Sequence, residues 1–423
     1  MSGSVKEIES SAYRNEFIDV LQRLVKAMPD YEELVFFVKV VKEHFLTDLK
    51  KGSPDIIVLG SNIPEELVLA AGKKHYWVLG GSRISSMWAD DMVPRDTDPV
   101  SRSSLGYFKL GVAEKSLVLV PLVNDSTRKL AYMLKLMGLK VHTFHFPPLK
   151  NRDSIKEWNR QYEACRSAIA KHIKRPLTKR DLERTTEKVE QAKKQIREFL
   201  KASQGIMSGT NRMFILGSYY CAEDLDEWRR QLQSLTARLQ KEKGRKENRK
   251  NKVLLLGSPV YFPNYKIPFL IEETGLELCL QADYTTLSIQ AEACAGKTLE
   301  KGFSEAFYWK DTSPAYVRND SLYRRIATLV SENEIDGIVY HVLKGQIEYD
   351  FELGRFEELF EKMNIPVFRL ETDYNYQDVE QLRIRLEAFA EVLNQRNYSR
   401  FSGVGKGTWE RKNRKYKKEA VAI

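Results

Sequence analysis

The stretch Lys252–Gly275, KVLLLGSPVYFPNYKIPFLIEETG, decides the fold. It opens with an unbroken apolar run, Val253–Leu256, and breaks at Gly257-Ser258-Pro259. An apolar-periodic segment then leads to Thr274-Gly275. The pattern reads as a buried strand, a tight loop, a helix and a glycine stop. A strand without polar alternation is covered on both faces, as in a parallel sheet. The loop after such a strand lies at the carboxyl edge of the sheet, where open α/β folds bind ligands.

The unit has echoes. Asp55–Gly72, DIIVLGSNIPEELVLAAG, has the same apolar run, a Gly60-Ser61 break, Pro64 and a closing Gly72. Met213–Ser218, MFILGS, repeats the strand and the break. Asp55 and Lys252 are read as the starts of two similar half-domains. The competing explanation is that Leu-Gly-Ser is simply common at strand ends, since a repeat needs more than a tripeptide.

Working outward, Ser116–Val123 and Lys140–Phe146 are further strands, and Asn124-Asp125-Ser126 caps a helix between them. Residues 55–150 thus alternate β and α, which gives a parallel, doubly wound sheet. After Lys252 come strands at Leu276–Asp283, Ile335–Val342 and Pro366–Asp373, then a helix over Tyr376–Leu393. The fold class is α/β, with two Rossmann-like parallel-sheet domains and additional helical segments. The division is N-terminal helices (1–54), a first α/β domain (55–150), a helical brace with a basic linker (151–251), a second α/β domain (252–400) and a basic, disordered tail (401–423).

At 423 residues, the chain suits two or three domains. Its 42% hydrophobic and 11% aromatic content is that of a globular protein. No apolar run is long enough for a membrane span. The start, MSGSVKEIESSAYRNE, is polar and acidic, unlike a signal peptide. The cytoplasm is the expected compartment. Cys165, Cys221, Cys279 and Cys294 form no CxxC pair and have no histidine at ligand spacing, so neither a disulfide framework nor a zinc site is expected. The net charge of +10 is concentrated at Lys241–Lys252 and Lys406–Lys418. No nucleic-acid-binding motif accompanies these clusters, and an anionic coenzyme is the milder use of the charge.

Three places carry candidate chemistry. Glu65 and Glu66 follow Pro64 in a helix first turn, where the dipole alone favours acids; the functional reading turns one carboxylate toward the sheet edge. The stretch 87–110, MWADDMVPRDTDPVSRSSLGYFKL, is a long loop and then a helix from Pro99. Asp98 is its N-cap, which aims helix N–H groups at the loop. Lys344–Phe351, KGQIEYDF, sits just past a buried strand at the other carboxyl edge.

These motifs together resemble the 2-hydroxyacyl-CoA dehydratase family, which includes the subunits of 2-hydroxyglutaryl-CoA and phenyllactyl-CoA dehydratases and of ATP-dependent benzoyl-CoA reductases. The matching pieces are Ile63-Pro64-Glu65-Glu66 with Ala70-Ala71-Gly72, Arg102-Ser103-Ser104-Leu105-Gly106, Gly257-Ser258-Pro259, Ile335-Asp336-Gly337-Ile338-Val339, Ile365-Pro366-Val367 with Glu371-Thr372-Asp373, and Gln381–Phe389. They cover residues 50–395 in the family's order. The resemblance implies a heterodimer of related subunits and a four-iron–four-sulfur cluster on three cysteines in the cleft. It also implies an ATP-dependent iron–sulfur activator that supplies one electron, and a ketyl radical of the acyl-CoA that loses its hydroxyl as water. At the three cysteine positions this chain has Asp98, Asn124 and Gln346. Thiolates hold such clusters, so a normally ligated cluster is not expected here. A flavin stays open.

Three readings follow. The chain completes the acyl-CoA cleft of a dehydratase or reductase beside a paralogous cluster-bearing subunit. Alternatively it is a divergent cluster-free relative that binds acyl-CoA or, through Asp98, a hard metal. In the third reading it is a non-enzymatic assembly or binding protein on the same fold. The expected cleft is lined by Asn62, Glu65, Asp98, Ser103, Asn124, Ser258 and Gln346. Glu65 is the candidate acid or base, and Ser258 binds anionic or carbonyl oxygens. Asn62 and Ser103 contact substrate, and Arg102 the coenzyme phosphates. No dedicated metal ligand, membrane or nucleic-acid partner is expected.

Overall fold

The computed structural model describes residues 2–46, 54–109, 115–242, 250–291, 303–317 and 319–401. Cys294, the tail after residue 401 and most of the basic stretch after Lys241 lie outside the described residues. Two N-terminal helices, α1 (Ser2–Ala27) and α2 (Glu32–Leu46), precede the first half. That half runs β1 (Ile56–Leu59), α3 (Glu65–Ala70), β2 (His75–Val78), α4 (Arg83–Met87), α5 (Pro99–Phe108), β3 (Leu117–Leu122), α6 (Asp125–Leu136) and β4 (Lys140–His145). Four helices follow: α7 (Ile155–Ile173), α8 (Lys179–Ser203), α9 (Gly209–Gly217) and α10 (Leu225–Lys241). The second half runs β5 (Lys252–Gly257), α11 (Lys266–Glu273), β6 (Glu277–Gln281), α12 (Tyr284–Gln290), α13 (Phe303–Lys310), α14 (Asp320–Glu332), β7 (Gly337–Leu343), α15 (Ile347–Lys362), β8 (Val367–Thr372) and α16 (Val379–Phe401).

Both sheets are parallel and share one strand order, β2-β1-β3-β4 in the first and β6-β5-β7-β8 in the second. The central strands are buried along their whole length, as their unbroken apolar runs require. In each sheet the connectivity reverses between the two central strands, β1 and β3 or β5 and β7. Their carboxyl ends therefore frame the crevice where such sheets take ligands.

The two carboxyl edges face each other in direct contact. The Ser61 and Thr285 hydroxyls lie 2.8 Å apart, and Tyr374 donates its hydroxyl proton to the Gly80 carbonyl at 2.7 Å. A side chain at Gly81 would place its Cβ 2.3 Å from the Phe262 carbonyl oxygen. At Gly345, φ is +83° and a Cβ would meet the Asp96 carbonyl oxygen at 2.6 Å. Only glycine meets both demands at that second contact.

Met213–Ser218, read as a strand, is instead the end of α9 and the start of a 3-10 turn over Ser218–Cys221. Ser208 caps the helix, its hydroxyl accepting from the Asn211 N–H. Met213, Phe214, Ile215 and Leu216 are all buried. A helix covered on every side loses its amphipathic period and mimics a buried strand.

Candidate functional site

The first turn of α3 closes over a cavity of about 90 Å³ at the carboxyl edge of the first sheet. Its walls include Asn62, Glu65, Glu66, Thr186, Lys193 and Phe307. Pro64 starts the helix with a fixed φ of −54°. Glu65 and Glu66 then occupy the first turn, where the N-terminal dipole favours acids. Both are buried, but they are treated differently. Glu65 has both oxygens engaged, one by the Lys193 ammonium at 2.7 Å and the other by the Tyr219 hydroxyl at 2.6 Å. Glu66 keeps Oε2 without a partner among the described residues. Burial away from water holds the Glu66 carboxyl well above the usual carboxylate range, at about 8. Asn62 is 8% exposed, and neither its amide nitrogen nor its amide oxygen has a partner among the described residues. Such groups are nearly always satisfied in folded proteins by protein, water or ligand.

A second group of side chains meets between the sheets. Asp98 caps α5, accepting from the Ser101 N–H at 3.0 Å through Oδ1. The same oxygen accepts from Gln346 Nε2 at 3.3 Å. Asn124 closes a capping box with Thr127 at the start of α6. Its Nδ2 donates to Glu348 Oε1 at 2.8 Å. Burial, with the negative Asp98 as a lesser cause, pushes the Glu348 carboxyl up to about 7. Glu348 also lines an open groove of about 710 Å³ with Tyr316, Val317, Tyr323, Phe351 and Arg355. The structure thus gathers Asp98, Asn124 and Gln346, 222 to 248 residues apart across the two halves, and adds Glu348 to them.

The remaining candidates lie elsewhere. Ser103 is buried against the Gly81–Ser85 loop, where its hydroxyl accepts from the Ser82 N–H at 3.1 Å and pairs with Ser85 Oγ at 2.7 Å. Arg102, on α5, is ion-paired with Asp90 in the loop that precedes the helix. Ser258 is turned into the second sheet, where its hydroxyl oxygen accepts from the Leu343 N–H at 2.9 Å and its own N–H donates to the His341 carbonyl at 2.7 Å. Lys193, Tyr219 and Thr186 were not among the sequence candidates. They come from the helices between the two sheets, and no local pattern links them to α3.

An iron–sulfur cluster does not fit the donors between the sheets. Asp98, Asn124 and Gln346 present only carboxylate and amide oxygens and amide nitrogens, whereas thiolates hold such clusters. Cys165, Cys221 and Cys279 are buried elsewhere, and burial raises the Cys165 thiol to about 12. Among the described residues, no group of three or more His, Cys, Asp or Glu side chains is arranged to hold a metal. No helix among them is long and apolar enough to cross a membrane.

Two parallel sheets of one strand order, facing across their carboxyl edges with polar residues between, define a paired Rossmann-like class. The family model of the 2-hydroxyglutaryl-CoA dehydratase D-component matches residues 60–393. The chain belongs to that family. It is 25% identical over 374 residues to YjiM of Escherichia coli (strain K12), assigned as a dehydratase subunit, covering 82% of this chain and 94% of that one. It is 23% identical over 347 residues to the (R)-phenyllactyl-CoA dehydratase beta subunit of Clostridium sporogenes, covering 78% and 89%.

Proposed function

We propose that this chain is a subunit of a 2-hydroxyacyl-CoA dehydratase or benzoyl-CoA reductase-type enzyme, and that its cavity beside α3 receives the acyl group. The observation that carries the reading is the Asn62 amide, without a partner among the described residues, beside the buried Glu66 carboxyl at a sheet switch point. Asn62 can accept from a substrate hydroxyl and donate to a carbonyl oxygen. Glu66 holds the proton that a departing hydroxyl must take to leave as water. Its carboxylate then recovers the proton that the carbon chain gives up, so the residue ends as it began. Lys193 and Tyr219 hold both oxygens of Glu65, which makes it the positioning partner and Glu66 the proton carrier. One-electron chemistry belongs, in this reading, to a paralogous cluster-bearing subunit and its ATP-dependent activator.

The test is turnover of 2-hydroxyacyl-CoA by the chain assembled with that paralogue. Glu66→Gln should cut kcat by about 10²–10⁴-fold, the usual contribution of a general acid. The acid works only while protonated, so turnover should fall as pH rises through about 8, and the glutamine variant should lose that limb. Full activity in Glu66→Gln, with the limb intact, would remove Glu66 from the mechanism. A second reading, a cluster-free acyl-CoA or metal-binding relative, is favoured by the oxygen-rich group at Asp98, Gln346 and Glu348. A chain that never copurifies with an iron-bearing partner would support it.

A further inference from the structure

We propose that Asp98, Gln346 and Glu348 form a binding site for one hard divalent cation of the Mg²⁺ class, seated between the carboxyl edges of the two sheets. The inference rests on these three residues alone and stands or falls independently of the acyl-CoA reading.

Asp98 is 1% exposed and Gln346 5% exposed. Each of the three side chains keeps one oxygen without a partner among the described residues: Asp98 Oδ2, Gln346 Oε1 and Glu348 Oε2. The bonds that do exist hold the opposite atoms. Ser101 N–H and Gln346 Nε2 take Asp98 Oδ1, and Asn124 Nδ2 takes Glu348 Oε1. Three oxygens are left over by a framework that fixes the groups bearing them. Asn124 is the positioning residue for Glu348.

Charge points the same way. The Asp98 carboxylate is buried and the half-buried Glu348 carboxyl lies beside it, and the nearby cations are committed elsewhere: Arg102 to Asp90, Lys344 to Asp373 and Arg355 to Glu358. Asp98 and Glu348 each sit at a helix N-terminus, which favours an anion. For Asp98, that accounts for Oδ1, which accepts a helix N–H, and leaves Oδ2 unexplained. A buried carboxylate with a second carboxyl beside it calls for a compensating positive charge. Oxygen donors without thiolate or imidazole select a hard cation. Mg²⁺ is commonly held by one or two carboxylates and completes its shell with water. The groove that Glu348 lines supplies the route from solvent.

Mn²⁺ is the probe, added to the chelator-stripped full-length chain and followed by electron paramagnetic resonance. One Mn²⁺ should bind per chain and be displaced by Mg²⁺. Asp98→Asn, which keeps the helix cap, and Glu348→Gln should each weaken binding at least about tenfold, the lower bound seen even for residues that only orient ligands. Thermal melts separate this from misfolding. Without divalent ions both variants should melt at or above the wild-type temperature, because repulsion between the two carboxyl groups is relieved. Mg²⁺ should raise the melting temperature of the wild type and leave the variants unmoved. Three results overturn the proposal: no bound Mn²⁺, binding that survives both substitutions, or an infrared signature of protonated Glu348 that Mn²⁺ does not displace. The last would show the pair sharing a proton instead.

Discussion

The two sheets share a strand order and leave their first strands through the same tripeptide, yet their edges are put to opposite uses. After Leu59-Gly60-Ser61, the serine hydroxyl reaches across to Thr285, and the next residue, Asn62, holds an unsatisfied amide over a cavity. After Leu256-Gly257-Ser258, the serine turns back into its own sheet. The residues beyond it, Val260, Tyr261 and Phe262, are buried and wall a small apolar cavity of about 30 Å³. The backbone is common to both halves, and the sequence after the break decides the use. Asn-Ile-Pro-Glu-Glu leaves a polar hollow, whereas Pro-Val-Tyr-Phe-Pro leaves a smaller, apolar one. A fold therefore offers two equivalent edges without making both into sites.

The comparison can be broken most forcefully at Lys193. Lys193→Met leaves the Glu65 carboxylate buried with only Tyr219 for company. We expect a loss of about 3–5 kcal/mol in urea denaturation, the cost of stranding one member of a buried pair. Adding Glu65→Gln should recover much of it. A single-variant loss below about 1 kcal/mol would mean that water reaches the pair. The serines come next. Ser258→Ala orphans the buried Leu343 N–H and should cost about 1–3 kcal/mol. Ser61→Ala removes one hydroxyl pair between the halves and should cost only about 0.5–1.5 kcal/mol. Equal losses would erase the asymmetry between the edges. The smallest effect is expected at Asn62. Its amide has no partner to lose among the described residues, so Asn62→Leu should be neutral or stabilising, within about 1 kcal/mol, while abolishing recognition of polar ligands in the cavity.

Much of the architecture is legible in local signals. The runs Val253–Leu256 and Val118–Val120 announce buried strands, and Asp98 and Asn124 announce helix starts, because strand burial and capping act within a few residues. The partners of Glu65 are not legible. Lys193 and Tyr219 lie 128 and 154 residues away on helices whose own patterns report only packing. Nor can sequence separate Glu65 from Glu66. Neighbours on a helix point about 100° apart, and which one meets a cation depends on what packs against the turn. Seven residues expected to line one cleft were divided by the way the sheets face. Asn62 and Glu65 went to the cavity, Asp98, Asn124 and Gln346 to the contact between the edges, and Ser103 and Ser258 into bonds within their own halves.

The long helix α8 has a mechanical consequence. Lys193 reaches from it to Glu65 in the first half, and one turn later Arg197 donates to the Ala291 carbonyl of the second at 3.0 Å. The two anchors are about 6 Å apart along a stiff rod. Sliding one half against the other must release an anchor or carry both. The spacing of the halves and the charge balance beside Glu66 are therefore geared together, so that a shear at the far end of the rod is felt as a change of electric field in the cavity.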